Sequence, residues 1–162
     1  MRHYILLLLL LATTSASAAE KAPMRALDYF QGSWRCQGTF PASGKTIASH
    51  MHYARDLQGA ALVKHHEDVA PATYRAIEAW GYNPKGMRYE AAILDNFGGT
   101  RRFVSAGWKD DTLTWDSAAE VQPAQRFAYV RVDNEHYRVD WKIDRNSNGL
   151  VVGDTLTCTR EK

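Results

Sequence analysis

Cysteine, proline and an excess of either charge are all scarce in this chain of 162 residues. It has two Cys and five Pro, and 20 Lys and Arg against 18 Asp and Glu leave a net charge of +2. Two cysteines are too few for a small disulfide-built scaffold, and the near-neutral balance lacks the basic excess typical of nucleic-acid-binding proteins. Hydrophobic residues make up 45% and charged residues 23%, which is the composition of one folded globular domain rather than a disordered chain. We expect no nucleic-acid partner.

Long apolar runs are also missing, apart from one near the N-terminus. Arg2 precedes eight apolar residues at positions 5–12, and small residues follow. Because a membrane-spanning helix needs about 20 apolar residues, we interpret residues 1–19 as a signal peptide rather than as an anchor. The mature chain, residues 20–162, should contain no membrane span.

The small residues around position 18 fit the pattern of a signal-peptidase site. We expect cleavage near Ala18-Ala19 or Ala19-Glu20. The mature domain is then periplasmic or secreted, and in such oxidising compartments cysteines can form disulfides.

Helical patterns are nearly absent from the mature chain. A helix of one or two turns is expected in MRALDYFQG, ending before Gly32. From Ser33 onward, short runs rich in β-branched and aromatic residues alternate with turn residues, which is typical of an all-β protein. The predicted strands lie near 33–40, 46–55, 60–68, 73–82, 87–95, 101–108, 112–118, 125–132, 136–143 and 151–160. Short connections favour antiparallel pairing of neighbours, so we expect a closed antiparallel up-and-down β-barrel of about ten strands without open edges.

The first and last predicted strands can be aligned through their cysteines. If they pair antiparallel with Cys36 opposite Cys158, then Trp34 falls opposite Arg160 in the same register. The guanidinium group would then stack on the indole ring. We therefore predict a Cys36–Cys158 disulfide that joins the ends of the barrel; the alternative is two buried free thiols.

The stretch Phe30-Gln31-Gly32-Ser33-Trp34 resembles the Gly-x-Trp opening of lipocalin-like (calycin-type) barrels. In those proteins the Trp closes the barrel floor and a basic residue from the last strand crosses it. Gly32, Trp34 and Arg160 match that pattern, so the resemblance implies structural roles for Trp34 and Arg160.

Three further segments resemble exported bacterial proteins of the domain-of-unknown-function family numbered 1579. They are Trp80-Gly81-Tyr82-Asn83, Ile93-Leu94-Asp95-Asn96-Phe97-Gly98 and Gly153-Asp154-Thr155-Leu156-Thr157-Cys158. This resemblance covers nearly the whole mature chain, and it implies a fold but no activity. A related barrel family, the nitrobindins, binds haem through a His near the C-terminus. Here no His follows His136, and we expect no cofactor.

Histidines are concentrated on two consecutive predicted strands. His50 and His52 share one face, and a hairpin loop of even length would bring His65 to the same face, whereas an odd length would bring His66. Three imidazoles suit zinc, copper or nickel, so a transition-metal site or metalloenzyme at His50, His52 and His65 is one hypothesis. A solvated polar face is the alternative.

Aromatic residues are spread over at least six predicted strands, and a ten-stranded barrel is wide enough to hold a ligand. We take Trp80, Tyr82, Trp115 and Trp141 as candidate ligand-binding residues. No nucleophile elbow or other catalytic arrangement is present, and no acid/base pair can be assigned, although Glu78 and Asp116 lie within strands.

The preferred hypothesis is a non-catalytic barrel that binds a small hydrophobic or amphipathic ligand, as a monomer or weak dimer. If side chains fill the barrel, a structural or partner-binding role in the cell envelope is the alternative.

Overall fold

The computed structural model describes residues 23–162, so the predicted signal peptide lies outside the described residues. These residues form a closed antiparallel barrel with two short 3₁₀ helices, Arg25–Phe30 and Leu57–Gly59. The strands are β1 (Gly32–Phe40), β2 (Lys45–Asp56), β3 (Ala61–Asp68), β4 (Arg75–Asn83), β5 (Arg88–Asp95), β6 (Thr100–Ser105), β7 (Trp108–Lys109), β8 (Thr112–Ser117), β9 (Gln125–Arg131), β10 (His136–Ile143) and β11 (Val151–Arg160). Within residues 23–162, the structure has no helix that is long and apolar enough to cross a membrane.

Consecutive strands pair with one another, except that β6 pairs with β8 and not with β7, and β1 also pairs with β11, which closes the barrel. The predicted all-β up-and-down barrel is therefore confirmed. The predicted strand at 101–108 is the one run that the structure divides, into β6 and the two-residue β7. Gly107 between them has a φ of +98°, a left-handed conformation that breaks the extended chain. Strand β6 pairs directly with β8, so β7 is an extra strand beside a ten-stranded barrel.

The pairing of β1 with β11 has the register that the sequence predicts. Trp34 lies opposite Arg160 and Cys36 opposite Cys158, and the two cysteines form a disulfide. The predicted disulfide is confirmed, and the alternative of two free thiols is wrong. The Arg160 guanidinium lies 4.1 Å from the centroid of the Trp34 ring.

The first 3₁₀ helix closes one end of the barrel. Its apolar side chains Leu27 and Phe30 are fully buried. The indole of Trp34 donates a hydrogen bond to the Phe30 carbonyl at 2.7 Å, and that of Trp108 donates to the Ala26 carbonyl at 2.8 Å. The predicted short helix is thus present, in the 3₁₀ form, and it covers this end of the barrel.

Aromatic side chains fill the half of the barrel next to this helix. The ring centroid of Phe30 lies 5.3 Å from that of Trp80, and Trp80 lies 5.0 Å from Trp115. Tyr53 and Tyr129 pack around them and are almost completely buried. This half of the interior is therefore solid core, and only the opposite, open half can hold a ligand.

Candidate ligand-binding cavity

The open half of the barrel contains a cavity of about 240 Å³. A water molecule occupies about 30 Å³ in the liquid, so the cavity has room for roughly eight waters or one small organic molecule. It lies above the aromatic core, with Met51 and Tyr129 among the residues at its lining.

One side of the cavity is apolar and comes from the strands on both sides of the disulfide-linked seam. Strands β1, β2, β9, β10 and β11 supply its members, which alternate along each strand with outward residues. These side chains are Phe40, Ile47, Met51, Phe127, Val139, Trp141 and Leu156.

The other side of the cavity is polar and charged. Strand β3 contributes Lys64, His66 and Asp68, which share one face because side chains alternate along a strand. Strand β4 adds Glu78, and β6 adds Arg101. The cavity therefore has an apolar wall facing a charged wall, which is the lining that an amphipathic molecule requires.

Lys64 and Glu78 form an ion pair at the boundary between core and cavity. The two residues are directly opposite each other on β3 and β4, and the Lys64 Nζ lies 2.7 Å from the Glu78 Oε1. Both side chains are buried. Lys64 also donates to the Tyr129 hydroxyl at 3.2 Å, and the Trp80 indole donates to Glu78 Oε2 at 3.1 Å. These extra hydrogen bonds offset part of the cost of removing two charges from water.

Asp68 is hydrogen-bonded to two other side chains at the end of β3. Ser49 on β2 donates its hydroxyl proton to Asp68 Oδ1 at 2.7 Å, and His66 Nε2 lies 3.0 Å from the same oxygen. Burial lowers the pKa of His66 below its ordinary value, although the hydrogen bond to Asp68 acts in the opposite direction. The imidazole is therefore neutral near pH 7, so His66 gives Asp68 a hydrogen bond but not a cationic partner.

Arg101 lies at the rim of the charged wall and is held by three neighbours. Its Nη2 lies 3.1 Å from Asp95 Oδ2 and donates to the Tyr74 hydroxyl at 2.8 Å, and its Nη1 donates to Gln125 Oε1 at 3.2 Å. The Trp141 indole donates to the same Gln125 oxygen at 3.1 Å. This network connects the charged wall to the apolar wall at Trp141.

Asp154 is the one acidic residue on the mainly apolar side. It lies opposite Trp141, next to a register shift in the pairing of β10 with β11. Burial, and then the negative charge of Asp68, raise the pKa of Asp154 to about 6. Gly153 beside it leaves room for the Trp141 ring, because an added Cβ would lie 2.5 Å from a ring carbon.

Of the four predicted ligand-binding residues, only Trp141 lines the cavity. Trp80 and Trp115 belong to the buried core of the closed half. Tyr82 packs against Tyr89, whose hydroxyl donates to the Pro23 carbonyl at the closed end. The structure therefore separates these three aromatic residues from the open half of the barrel.

The predicted histidine cluster lies on the outer surface. His52 is directly opposite His65, as an even loop requires, but His50, His52 and His65 are all exposed. The inner face of β2 is taken by Ser49, Met51 and Tyr53 instead. His52 Nδ1 hydrogen-bonds to the Ser33 hydroxyl at 2.9 Å.

Within residues 23–162 no group of three or more His, Cys, Asp or Glu is arranged to hold a metal ion. The hypothesis of a metal site at His50, His52 and His65 is therefore not supported by the described residues.

Sequence reasoning missed most of the charged wall, although part of its signal is visible. Glu78 lies between the apolar residues Ala76 and Trp80 on one face of β4, which marks it as an inward acid. On β3 no such signal exists, because polar residues occupy both faces between Lys64 and Asp68.

Comparisons with known proteins identify the fold alone. No family model matches the chain, and no curated protein matches it. The crystal structure of Rv2717c from M. tuberculosis is similar, with a TM-score of 0.65 and 16% sequence identity, over 87% of this chain and 98% of that one. A redesigned beta barrel, b11L5F_LGL, shares 16% identity over 85% of this chain and 96% of its own, with a TM-score of 0.41, which is too low to indicate the same fold. The chain thus has the antiparallel barrel fold of the M. tuberculosis protein.

Proposed function

We propose that this chain is a binding protein that holds one small amphipathic molecule in the open half of its barrel. The observation that carries the proposal is the two-sided cavity, with apolar side chains from β9–β11, β1 and β2 facing charged side chains from β3, β4 and β6. Ligand sites are typically concave and mostly apolar, with a few polar groups that orient the ligand. At about 240 Å³ the cavity suits a ligand smaller than most drug-sized molecules.

The proposal assigns no catalysis to this site. Ser49, His66 and Asp68 are residue types found in hydrolase triads, but their connectivity is different here. The Ser49 hydroxyl and the His66 ring both hydrogen-bond to the same Asp68 oxygen. A nucleophilic serine instead requires the imidazole as its own hydrogen-bond partner, so that arrangement supports binding rather than acyl transfer.

We also infer that the protein is exported and belongs with the lipocalin-like barrels. The Cys36–Cys158 disulfide and the N-terminal sequence support export, since disulfides persist in oxidising compartments. The stack of Arg160 on Trp34 supports the lipocalin-like assignment. N-terminal sequencing of the protein from the periplasm or medium should begin at Ala19 or Glu20; a cytoplasmic chain that retains Met1 would contradict export.

Binding of 1-hexanol, a small amphipathic probe, tests the proposed function. We expect titration to shift the NMR signals of the Trp141 indole N–H and the Val139 methyl groups, because both residues line the cavity. Native mass spectrometry of freshly purified protein would also reveal a carried ligand.

A matched pair of variants locates the binding. Val139→Trp places a large ring in the cavity and should abolish hexanol binding. Val132→Trp makes the same change at an exposed position directly after β9, outside the cavity lining, and should leave binding intact. Failure of hexanol, hexylamine and hexanoate alike to bind the wild-type protein would contradict the proposed function.

A further inference from the structure

We propose that the polar group of the ligand is a protonated amine, held by the carboxylates of Asp68 and Asp154. This inference rests on the proposed function and specifies its ligand class. It follows from which charges in the cavity already have partners and which do not.

The two cations of the charged wall each have a carboxylate of their own. Lys64 pairs with Glu78 at 2.7 Å, and Arg101 pairs with Asp95 at 3.1 Å. Lys64 also donates to the Tyr129 hydroxyl and Arg101 to the Tyr74 hydroxyl, while the buried Arg101 Nε has no hydrogen-bond partner among residues 23–162. Neither cation is left as an uncompensated positive charge that would attract an anionic ligand.

Asp68 and Asp154 are the cavity carboxylates without a cationic partner. Among residues 23–162, no Lys or Arg nitrogen lies within 4.0 Å of either one. Asp68 is almost completely buried, and both hydrogen bonds that it accepts come to Oδ1, from Ser49 and His66. Among residues 23–162, no group donates a hydrogen bond to Asp68 Oδ2, so this oxygen remains as an acceptor for a ligand.

The electrostatic environment of Asp154 also favours a cationic ligand. Burial and the neighbouring charge of Asp68 raise its pKa to about 6. Two carboxylates that repel each other in a partly dry cavity are stabilised by a cation placed near both. An anionic ligand would instead meet two like charges, which costs free energy.

The apolar wall supplies a site for the rest of the molecule. Phe127 and Trp141 line the cavity, with Trp141 directly opposite Asp154, and Val139 and Leu156 add aliphatic surface. Aromatic faces attract cations as well as apolar groups. The ligand class is therefore a small organic ammonium ion with a short aliphatic or aromatic body.

Three probes of matched length separate the charge preference from cavity binding itself. Calorimetry of the full mature chain near pH 7.5 should show hexylamine binding about tenfold or more tightly than 1-hexanol, and hexanoate binding most weakly, because charge-assisted hydrogen bonds are stronger than neutral ones. Equal affinity for the amine and the alcohol, or tighter binding of hexanoate, would overturn the inference while leaving the proposed function in place.

Asp154→Asn tests the carboxylate directly and keeps the shape of the side chain. It should lower hexylamine affinity about tenfold or more and leave hexanol affinity nearly unchanged. Asp110→Asn is the matched control, since Asp110 is an exposed turn residue with a φ of +51°, which Asn adopts readily. The control should bind hexylamine like the wild type; an equal loss in both variants would overturn the inference.

The pH dependence of the wild-type protein gives a second readout without a variant. The charged groups that act on Asp154 are Asp68 and Lys64 on β3 and Asp140 on β10. Hexylamine affinity should fall several-fold as the pH is lowered through about 6, because Asp154 gains a proton while the alkylammonium group keeps its charge. Hexanol affinity should stay constant over this range, and a parallel fall for both probes would contradict the role of Asp154.

Discussion

At the scale of single residues, the unusual feature of this barrel is buried charge. Lysine, glutamate and aspartate are rarely buried without partners, because their removal from water is costly. Here Lys64, Glu78 and Asp68 are among the least exposed polar residues. Each forms hydrogen bonds with side chains from other strands. These hydrogen bonds stabilise the polar inner wall as part of the fold.

Removing one member of the Lys64–Glu78 pair should be strongly destabilising. Lys64→Met leaves the Glu78 carboxylate buried without its cation, and we expect the free energy of unfolding to fall by about 3–5 kcal/mol. The double variant Lys64→Met, Glu78→Gln should recover much of this loss, because no charge is left unpaired and the Gln oxygen still accepts from Trp80. Urea unfolding measures both, and a double variant no more stable than the single one would contradict this account.

The raised pKa of Asp154 makes a prediction about stability and pH. The folded protein holds this proton up to about pH 6, whereas the unfolded chain releases it near the ordinary value of 3.8. The contribution of this group to stability therefore falls between about pH 4 and pH 6, by up to about 3 kcal/mol, and is flat above pH 6.

Asp154→Asn should remove this dependence. We expect the variant to be more stable than the wild type near pH 7.5 and close to it near pH 4, as measured by urea unfolding at both pH values. A variant that loses stability near pH 7.5 would show that the ionised carboxylate is a favourable group in the free protein.

At the scale of elements, the 3₁₀ helix and the strand alternation decide where the barrel is full and where it is open. The helix places Phe30 in contact with rings from several strands, including Tyr53, Trp80 and Tyr137. The helix covers only the closed end of the barrel, so the interior volume at the opposite end is left as a cavity. The position of the cavity is thus a consequence of the helix as much as of the strands that line it.

Truncating the Phe30 side chain of the first 3₁₀ helix should lower the free energy of unfolding. Phe30→Ala removes a fully buried ring, and we expect a loss of about 3–5 kcal/mol in the free energy of unfolding. Leu57→Ala, at an exposed position in the second 3₁₀ helix, is the control and should change stability by about 0.5 kcal/mol or less. Similar small losses in both variants would mean that the helix is not part of the cooperative core.

The elements were largely predictable because alternation and turn residues are local signals. The predicted strands and the short helix are all present, and the division of the 101–108 run follows from the left-handed conformation at Gly107. A glycine within a predicted strand does not reveal its φ in the sequence, so this break could not be placed in advance.

At the scale of the whole molecule, the pairing of β1 with β11 converts an open meander into a barrel. The disulfide at this seam joins residues separated by 122 positions. In the chain-entropy model, a crosslink over so long a loop contributes roughly 4–5 kcal/mol by restricting the unfolded chain.

Removing the disulfide tests that contribution. The double variant Cys36→Ala, Cys158→Ala should lose about 4–5 kcal/mol of unfolding free energy and still bind hexanol, since neither cysteine lines the cavity. Chemical denaturation with and without reductant gives the comparison for the wild type. A loss below about 1 kcal/mol would show that strand pairing alone holds the seam.

Strand period, turn residues and the alignment of two cysteines were enough to predict the barrel, the register of its seam and the disulfide, because these signals are local or follow from simple alignment. Which polar residues face inward depends instead on how the strands close into the barrel. Along β3 both faces are polar, so His65 and His66 are equivalent in the sequence, and closure of the barrel turns His66 inward and His65 to solvent. The cavity and its unpaired carboxylates likewise depend on strands far apart in the chain, since a cavity is the volume that packing from all of them leaves unfilled.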